Sequence, residues 1–467
     1  MTRLFGLKTT FCLLLSCLLS PARGDSAEPR VSFARQIHPI LAAKCQGCHQ
    51  SSLSSGGMVV SSYADFKKGG RHGTPFVPGK PDESLVMKHL TGVAEPRMPM
   101  GMDPLPDGSI ELFRRWIAEG AEEDAAEDTD PIPTEAPRYL ASPVITALAF
   151  SADGRILAVS GNHEVLLHRP DGSELLARLV GRSERVHALA FSPDGKLLAA
   201  VGGSPARFGE VQLWEVEGRR LRRAVKVGSD TLFGAAFSAD GRYLAFGCPD
   251  KTVRIFDVAT SEETRKMENH QDWVFATEFS VDGKRLVSVS RDHFLKLSEV
   301  ATGAFLENLN LLTKATFGGQ GELYALSRHP TKDIVVAAGD DRTPRIYTLH
   351  RPRAIRIDDD SCLLRELERQ GGAVEVVRFS PDGALVAVGG MADQVNIYAA
   401  ETGAKVATLT GHKGGIYALA FAPGGRIATA GFDGMVRIYQ VKTGTLEKAF
   451  VPVPLGTAAL RTGSRLR

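Results

Sequence analysis

The chain has 467 residues, of which 43% are hydrophobic and 24% charged, with a formal net charge of +2. That length is too great for one ordinary core, so two or more domains are expected. A near-neutral balance with no basic block argues against nucleic acid as a partner.

The first residues read as a targeting segment. Arg3 and Lys8 supply positive charge, Phe11 to Leu19 form a short apolar run, and Ala22-Arg23-Gly24 offers small residues for cleavage. The expectation is a signal peptide over 1–24 and an exported protein in the periplasm or cell envelope. Lipoprotein processing at Cys17 is the alternative. The run falls short of the roughly 20 residues a membrane helix needs, so no transmembrane segment is expected in the mature chain.

Six cysteines are present. Cys12 and Cys17 fall in the targeting segment, and Cys248 and Cys362 read as ordinary buried thiols. Cys45 and Cys48 stand in Cys45-Gln46-Gly47-Cys48-His49, a C-x-x-C-H pattern. Two thiols at this spacing can form thioethers to the two haem vinyl groups, and the adjacent imidazole can then bind the iron. Phe33, Ile37, Ile40 and Leu41 have helical spacing, so a helix is expected to lead into the motif and present all three groups on one face. Zinc would need a second ligand pair, and the sequence has no other CxxC or CxxH. A thioredoxin-like pair would need a βαβ unit, and none surrounds the motif.

A sixth iron ligand is sought downstream. Arg97-Met98-Pro99-Met100-Gly101-Met102 is a Pro- and Gly-rich loop followed by a helical pattern, Ile110, Phe113, Trp116 and Ile117, that closes at Gly120. Met98 is the first choice of distal ligand, Met100 the second and Met102 the third. Packing of Met into loop gaps is the competing explanation. His72 and His89 are rival ligands that read more simply as surface or capping histidines, and Arg97 reads as a surface arginine.

Residues 31 to 121 resemble the planctomycete-type cytochrome c domain. The likeness rests on Ile37-His38-Pro39-Ile40-Leu41 before the Cys45-Cys48-His49 motif, Ser55-Gly56-Gly57-Met58, and Val77-Pro78-Gly79-Lys80-Pro81-Asp82-Glu83-Ser84-Leu85. Arg97-Met98-Pro99 and Trp116-Ile117-Ala118-Glu119-Gly120-Ala121 complete it. The resemblance implies one covalently attached haem c, with Cys45 and Cys48 as thioether sites, His49 as proximal ligand and Met98 as distal ligand. It also implies a small all-α haem domain, expected over 28–121.

An acidic, Pro-rich stretch over 122–139 reads as a solvated linker. Beyond it, Ala149-Phe150-Ser151-Ala152-Asp153-Gly154 recurs from Ala190 and Ala236, with further copies at Phe279, Phe379 and Phe421 and a degenerate one at Ser327 to Asp333. These seven copies lie mostly 41 to 47 residues apart, the period of WD40 blades. An all-β, seven-bladed WD40 propeller is therefore expected over 140–455, with a tail over 456–467. Leu446 to Phe450 is a candidate outer strand for the last blade, and Arg138 to Ala141 could close the ring from the other side. Residues 350–361 read as an inserted surface loop. His270 with Asp292, and His412 with Asp433, resemble the family's blade-bracing pairs and are assigned structural roles.

The sequence contains no phosphate loop, nucleophile elbow or zinc-protease motif, and Asp at the repeated Asp-Gly sites is a turn former. An electron carrier or redox module is expected rather than a substrate-transforming enzyme. It would dock a redox partner protein on the propeller. A redox-sensing or scaffolding protein, with haem regulatory or structural, is the alternative.

Overall fold

Short capped helices, then repeated hairpins, are what these patterns produce. The computed structural model describes residues 30–50, 53–60, 62–123, 131–310, 321–352 and 361–456. The expected signal peptide, Cys12, Cys17, residues 124–130 of the acidic linker, most of the inserted loop and nearly all of the tail lie outside the described residues. The chain divides into two units, Met1–Thr129 and Asp130–Arg467. No helix among the described residues is long and apolar enough to cross a membrane.

In the first unit the Ser32 hydroxyl accepts the Arg35 N–H at 2.9 Å and starts a π-helical turn, Phe33–Ile37. This runs into α1 (His38–Lys44), with Pro39 in its first turn where a missing N–H costs nothing. Ser62 caps α2 (Tyr63–Lys68) through the Asp65 N–H, and Gly69 ends it. Two further helices are α3 (Leu85–Thr91) and α4 (Asp107–Ala118). The α4 spacing turns Phe113, Trp116 and Ile117 inward as the sequence pattern requires, while Ile110 stays half-buried. Phe76 packs edge-on against Trp116 with centroids 4.9 Å apart, and Phe33 lies 5.1 Å from Tyr63 and 5.4 Å from Trp116. Burial of such rings supplies most of a small core's stability. The expectation of an all-α domain needs correcting. Between α1 and α2 the chain forms a short antiparallel hairpin, His49–Gln50 with Leu53–Ser54, whose strand pairing fixes the backbone just after the cysteine motif.

The second unit is almost wholly β. Five four-stranded antiparallel sheets follow one another, preceded by a seven-stranded sheet, so six sheets are present among the described residues. The large sheet arises because Leu175–Phe191 runs as one 17-residue strand. Its first half pairs with Asn162–His168 and its second half with Leu197–Ser204. The opening strands of successive sheets lie side by side, and Ile416–Ala422 of the last sheet lies beside Leu148–Phe150 of the first.

Each repeat turn is built the same way. In the second, the Ser192 hydroxyl donates to Asp194 at 2.6 Å, and the same Asp accepts the Lys196 N–H at 3.1 Å. These donors hold the Asp194 carboxyl below its usual range, the serine bond contributing most. Such aspartates are structural turn formers, as the sequence suggested. At Gly383 the turn has φ +73, and a Cβ would fall 2.0 Å from His329 Nε2, so a side chain is excluded there.

Both segments considered for closure make strand pairs. Thr445–Phe450 pairs with Val436–Gln440 as the outer strand of the last sheet. Tyr139, expected at the end of the linker, is instead a buried core residue whose backbone bridges to Leu455. Its hydroxyl donates to Glu164 at 2.8 Å, and Arg178 grips the same carboxylate with two bonds of 2.7 Å. Cys248 and Cys362 are both buried, as the sequence suggested. His270 bonds Asp292 at 2.8 Å and Ser288 at 2.7 Å, a buried brace as expected. His412 differs: it bonds Thr429 and Arg437, and Arg437 in turn pairs with Asp433.

Candidate functional site

The cysteine motif lies where α1 stops. The Cys45 and Gln46 N–H groups both donate to the Leu41 carbonyl at 2.9 Å, closing the helix. The helix was expected to continue through the motif, and here the structure corrects the sequence reading. Cys45 has left helical geometry at φ −122, Gly47 follows, and His49 opens the hairpin. What survives is a single turn in which the Cys48 and His49 N–H groups converge on the Cys45 carbonyl at 3.2 and 3.1 Å. That turn keeps Cys45, Cys48 and His49 together without a continuous helix. The His49 carbonyl accepts the Val60 N–H at 2.9 Å, so the histidine backbone is held on both sides.

Both thiols are free, Cys45 half-buried and Cys48 exposed. Burial, and secondarily Cys48, pushes the Cys45 thiol up to about 11. Thiol–disulfide exchange sites lower the thiol pKa instead, so the environment disfavours a thioredoxin-like role. His49 is buried, and its Nδ1 has no protein hydrogen-bond partner. A buried ring nitrogen left unpaired costs about 1–3 kcal/mol, so a further group to satisfy this imidazole is chemically reasonable. Among the described residues no three His, Cys, Asp or Glu side chains form a set able to hold a metal ion.

Met98 packs half-buried against the same apolar cluster as Cys45 and Met58. Its N–H donates to the His89 carbonyl at 3.0 Å, and the His89 Nδ1 bonds the Pro96 carbonyl at 2.9 Å. The α3 terminus thus holds the methionine loop at two points through one residue. Met100 and Met102 are 68% and 54% exposed, which separates them from Met98. His72 and Arg97 are exposed. Sequence reasoning gave Met58 and Val60 no role, yet both belong to this setting. The signal available was their position just beyond a Gly-Gly turn that returns the chain to the motif.

Two arrays of similarity follow the same division. The family Planctomycete cytochrome C matches residues 45–100. The family WD domain, G-beta repeat matches 173–204, 224–257, 261–297 and 403–440. Telomerase Cajal body protein 1 of Mus musculus is 32% identical over 93 residues, 20% of this chain and 17% of that protein. p21-activated protein kinase-interacting protein 1-like of Danio rerio is 30% identical over 122 residues, 26% of this chain and 30% of its own length. Meiotic recombination protein rec14 of Schizosaccharomyces pombe is 28% identical over 120 residues, 25% and 40% of the two chains. The matches therefore span less than half the length of these relatives. WD40 repeats in the second unit suggest a platform for protein–protein contacts. The chain is a fusion of a planctomycete cytochrome c segment with WD40 repeats.

Proposed function

We propose that this chain is an exported monohaem c-type cytochrome that transfers electrons, with the WD40 region docking its redox partner protein. Cys45 and Cys48 would hold haem c by two thioethers, with His49 as the proximal iron ligand and Met98 as the distal one, Met100 being the second choice. The observation that carries this reading is one turn joining two free thiols to a buried imidazole whose Nδ1 lacks a partner. Bound haem supplies one-electron exchange at iron. The chain's part is to fix the imidazole through the hairpin, present the thioether from a loop tied to His89, and exclude water with the Phe33, Phe66 and Trp116 cluster. If His49 and Met98 both held the iron, a substrate would have no open position there, so an electron carrier is favoured over an enzyme.

The proposed boundaries are a signal peptide over 1–24, a haem domain over 28–121, a linker over 122–139, a propeller over 140–455 and a tail beyond. Location in the periplasm or cell envelope follows from that leader and from the cytochrome segment. The seven-stranded sheet is read as two blades sharing one strand, which gives seven blades. The side-by-side order of the opening strands, first against last, supports a closed ring. The size of the repeat region favours a second reading, a sensor or scaffold whose haem reports redox state.

Met98→Ala tests the ligand assignment. Met ligation raises the potential of a haem. The variant is expected to lose the weak ferric charge-transfer band of iron–thioether coordination. It should also lower the potential by a sizeable part of the about 0.8 V that axial ligands command. Met100→Ala should leave both unchanged. A Met98→Ala spectrum identical to that of the parent would exclude Met98.

A further inference from the structure

Four residues before the aromatic position of each repeat turn, successive repeats have Thr146, His187, Phe233, Phe275, Tyr324, Glu375 and Tyr417. All but Phe233 line one cavity of about 120 Å³ between the opening strands. The rings form an arc: His187 to Phe233 is 4.9 Å between centroids, Phe233 to Phe275 5.2 Å, and Phe275 to Tyr324 5.5 Å. Thr146 and Glu375 occupy the equivalent position in other repeats, so blade packing does not demand an aromatic there.

The remaining side of this rim is acidic. The Tyr324 hydroxyl donates to Glu322 at 2.7 Å. The phenol is pushed upward by burial and that bond first, then by the charges of Asp340 and Glu375. Among the described residues Glu375 forms no hydrogen bond or ion pair with another side chain. Burial, with Asp340 second, raises its pKa. Thr277, 3% exposed and on the cavity wall, has a hydroxyl with no protein partner. A half-buried carboxylate beside ring faces is costly alone and favourable with a cation. The neighbouring surface uses that chemistry already: the Arg291 guanidinium lies 5.1 Å from the Trp273 centroid and pairs with Asp272 at 3.0 Å. On the His187 side the charges of Arg185 and Asp230 oppose each other, and Arg378, which also lines the cavity, has Glu278 as its charged neighbour.

We propose that this end of the cavity binds one cationic side chain, an ammonium or guanidinium group, presented by a partner polypeptide. The cavity admits a single extended side chain, the aromatic arc receives its stem, and Glu375 with Asp340 neutralises its head. This specifies the partner chemistry of the docking platform proposed above and rests on that docking role, while being independent of haem.

The test uses the full chain and two blocked amino acids, N-acetyl-arginine amide and its neutral counterpart N-acetyl-citrulline amide, titrated by ligand-observed NMR. The arginine probe is expected to bind about tenfold more tightly, as a charge-assisted contact of this kind gives. Glu375→Gln should remove most of that difference, and the exposed Asp340→Asn should weaken binding about two- to threefold without disturbing the fold. Equal affinity for the two probes, no arginine binding, or unchanged preference in Glu375→Gln would overturn the site. A neutral-preferring cavity would point to an apolar docking role and sink the cationic assignment. Haem content, read from the visible spectrum of the same samples, reports separately on the electron-transfer reading.

Discussion

Replacing Cys45 and Cys48 together with serine is expected to abolish covalent haem in protein made by cells that mature c-type cytochromes. Haem-stained denaturing gels should lose the band completely. The single variants should each keep one thioether at best and give a sharply reduced yield. The argument is stereochemical. The two sulfurs are fixed in one turn by the Leu41 and Cys45 carbonyls, and no other described cysteine lies in the first unit. A serine hydroxyl cannot replace a thiol in addition to a vinyl group. His49→Ala should act on the iron rather than the bonds, leaving some covalent haem with an altered spectrum. The prediction is therefore a split: cysteine variants lose the haem mass, while the histidine variant loses normal ligation. Retention of covalent haem by the double serine variant would refute the attachment site.

The largest expected change in folding stability comes from the second unit. Glu210 is completely buried and Arg182 is 5% exposed, with 2.8 Å between them. The other carboxylate oxygen accepts Ser183 at 2.7 Å and Gln212 at 2.6 Å, and Gln212 in turn accepts the Trp214 indole N–H at 3.1 Å. Arg182→Ala removes the cation and leaves a buried carboxylate held only by neutral donors, which should cost about 3–5 kcal/mol. Exchanging Arg182 and Glu210 together for Met and Leu should recover most of that loss, because an apolar pair carries no desolvation penalty. Urea unfolding followed by Trp214 fluorescence reads both, since the indole belongs to the network. A loss below about 1 kcal/mol for Arg182→Ala would mean that the pair is not holding the strand Leu175–Phe191 against Phe208–Glu215.

The contrast between these two sites explains what the sequence made legible. The Ser-x-Asp-Gly turns are local: Ser192, Asp194 and Gly195 satisfy one another within four residues, so the pattern and the structure are nearly the same statement. C-x-x-C-H is legible for the same reason, since its spacing is its chemistry. Properties set at long range were not. Nothing near Cys45 announces that Gly47 and the Gln50–Leu53 hairpin will stop the helix. Tyr139 looked like linker because its partners, Glu164, Arg178 and Leu455, are distant in the chain. The seven-stranded sheet is not legible locally, because it depends on one strand that passes through Gly181 and Ser183 and serves two repeats. Gly181 lets Gln212 approach to within 2.5 Å of where a Cβ would stand. The cavity rim was hidden by register, since its residues precede the repeat signature and no single residue type recurs in every repeat.

The most direct test of the account is the intact mass of the mature protein, exported from cells competent in cytochrome maturation and measured after denaturation. The account predicts the mass of the chain from about residue 25 onward plus one haem, surviving acid and organic solvent. A mature chain with no added mass would contradict it, leaving WD40 repeats joined to a small helical unit that holds two free thiols and an unpaired imidazole nitrogen.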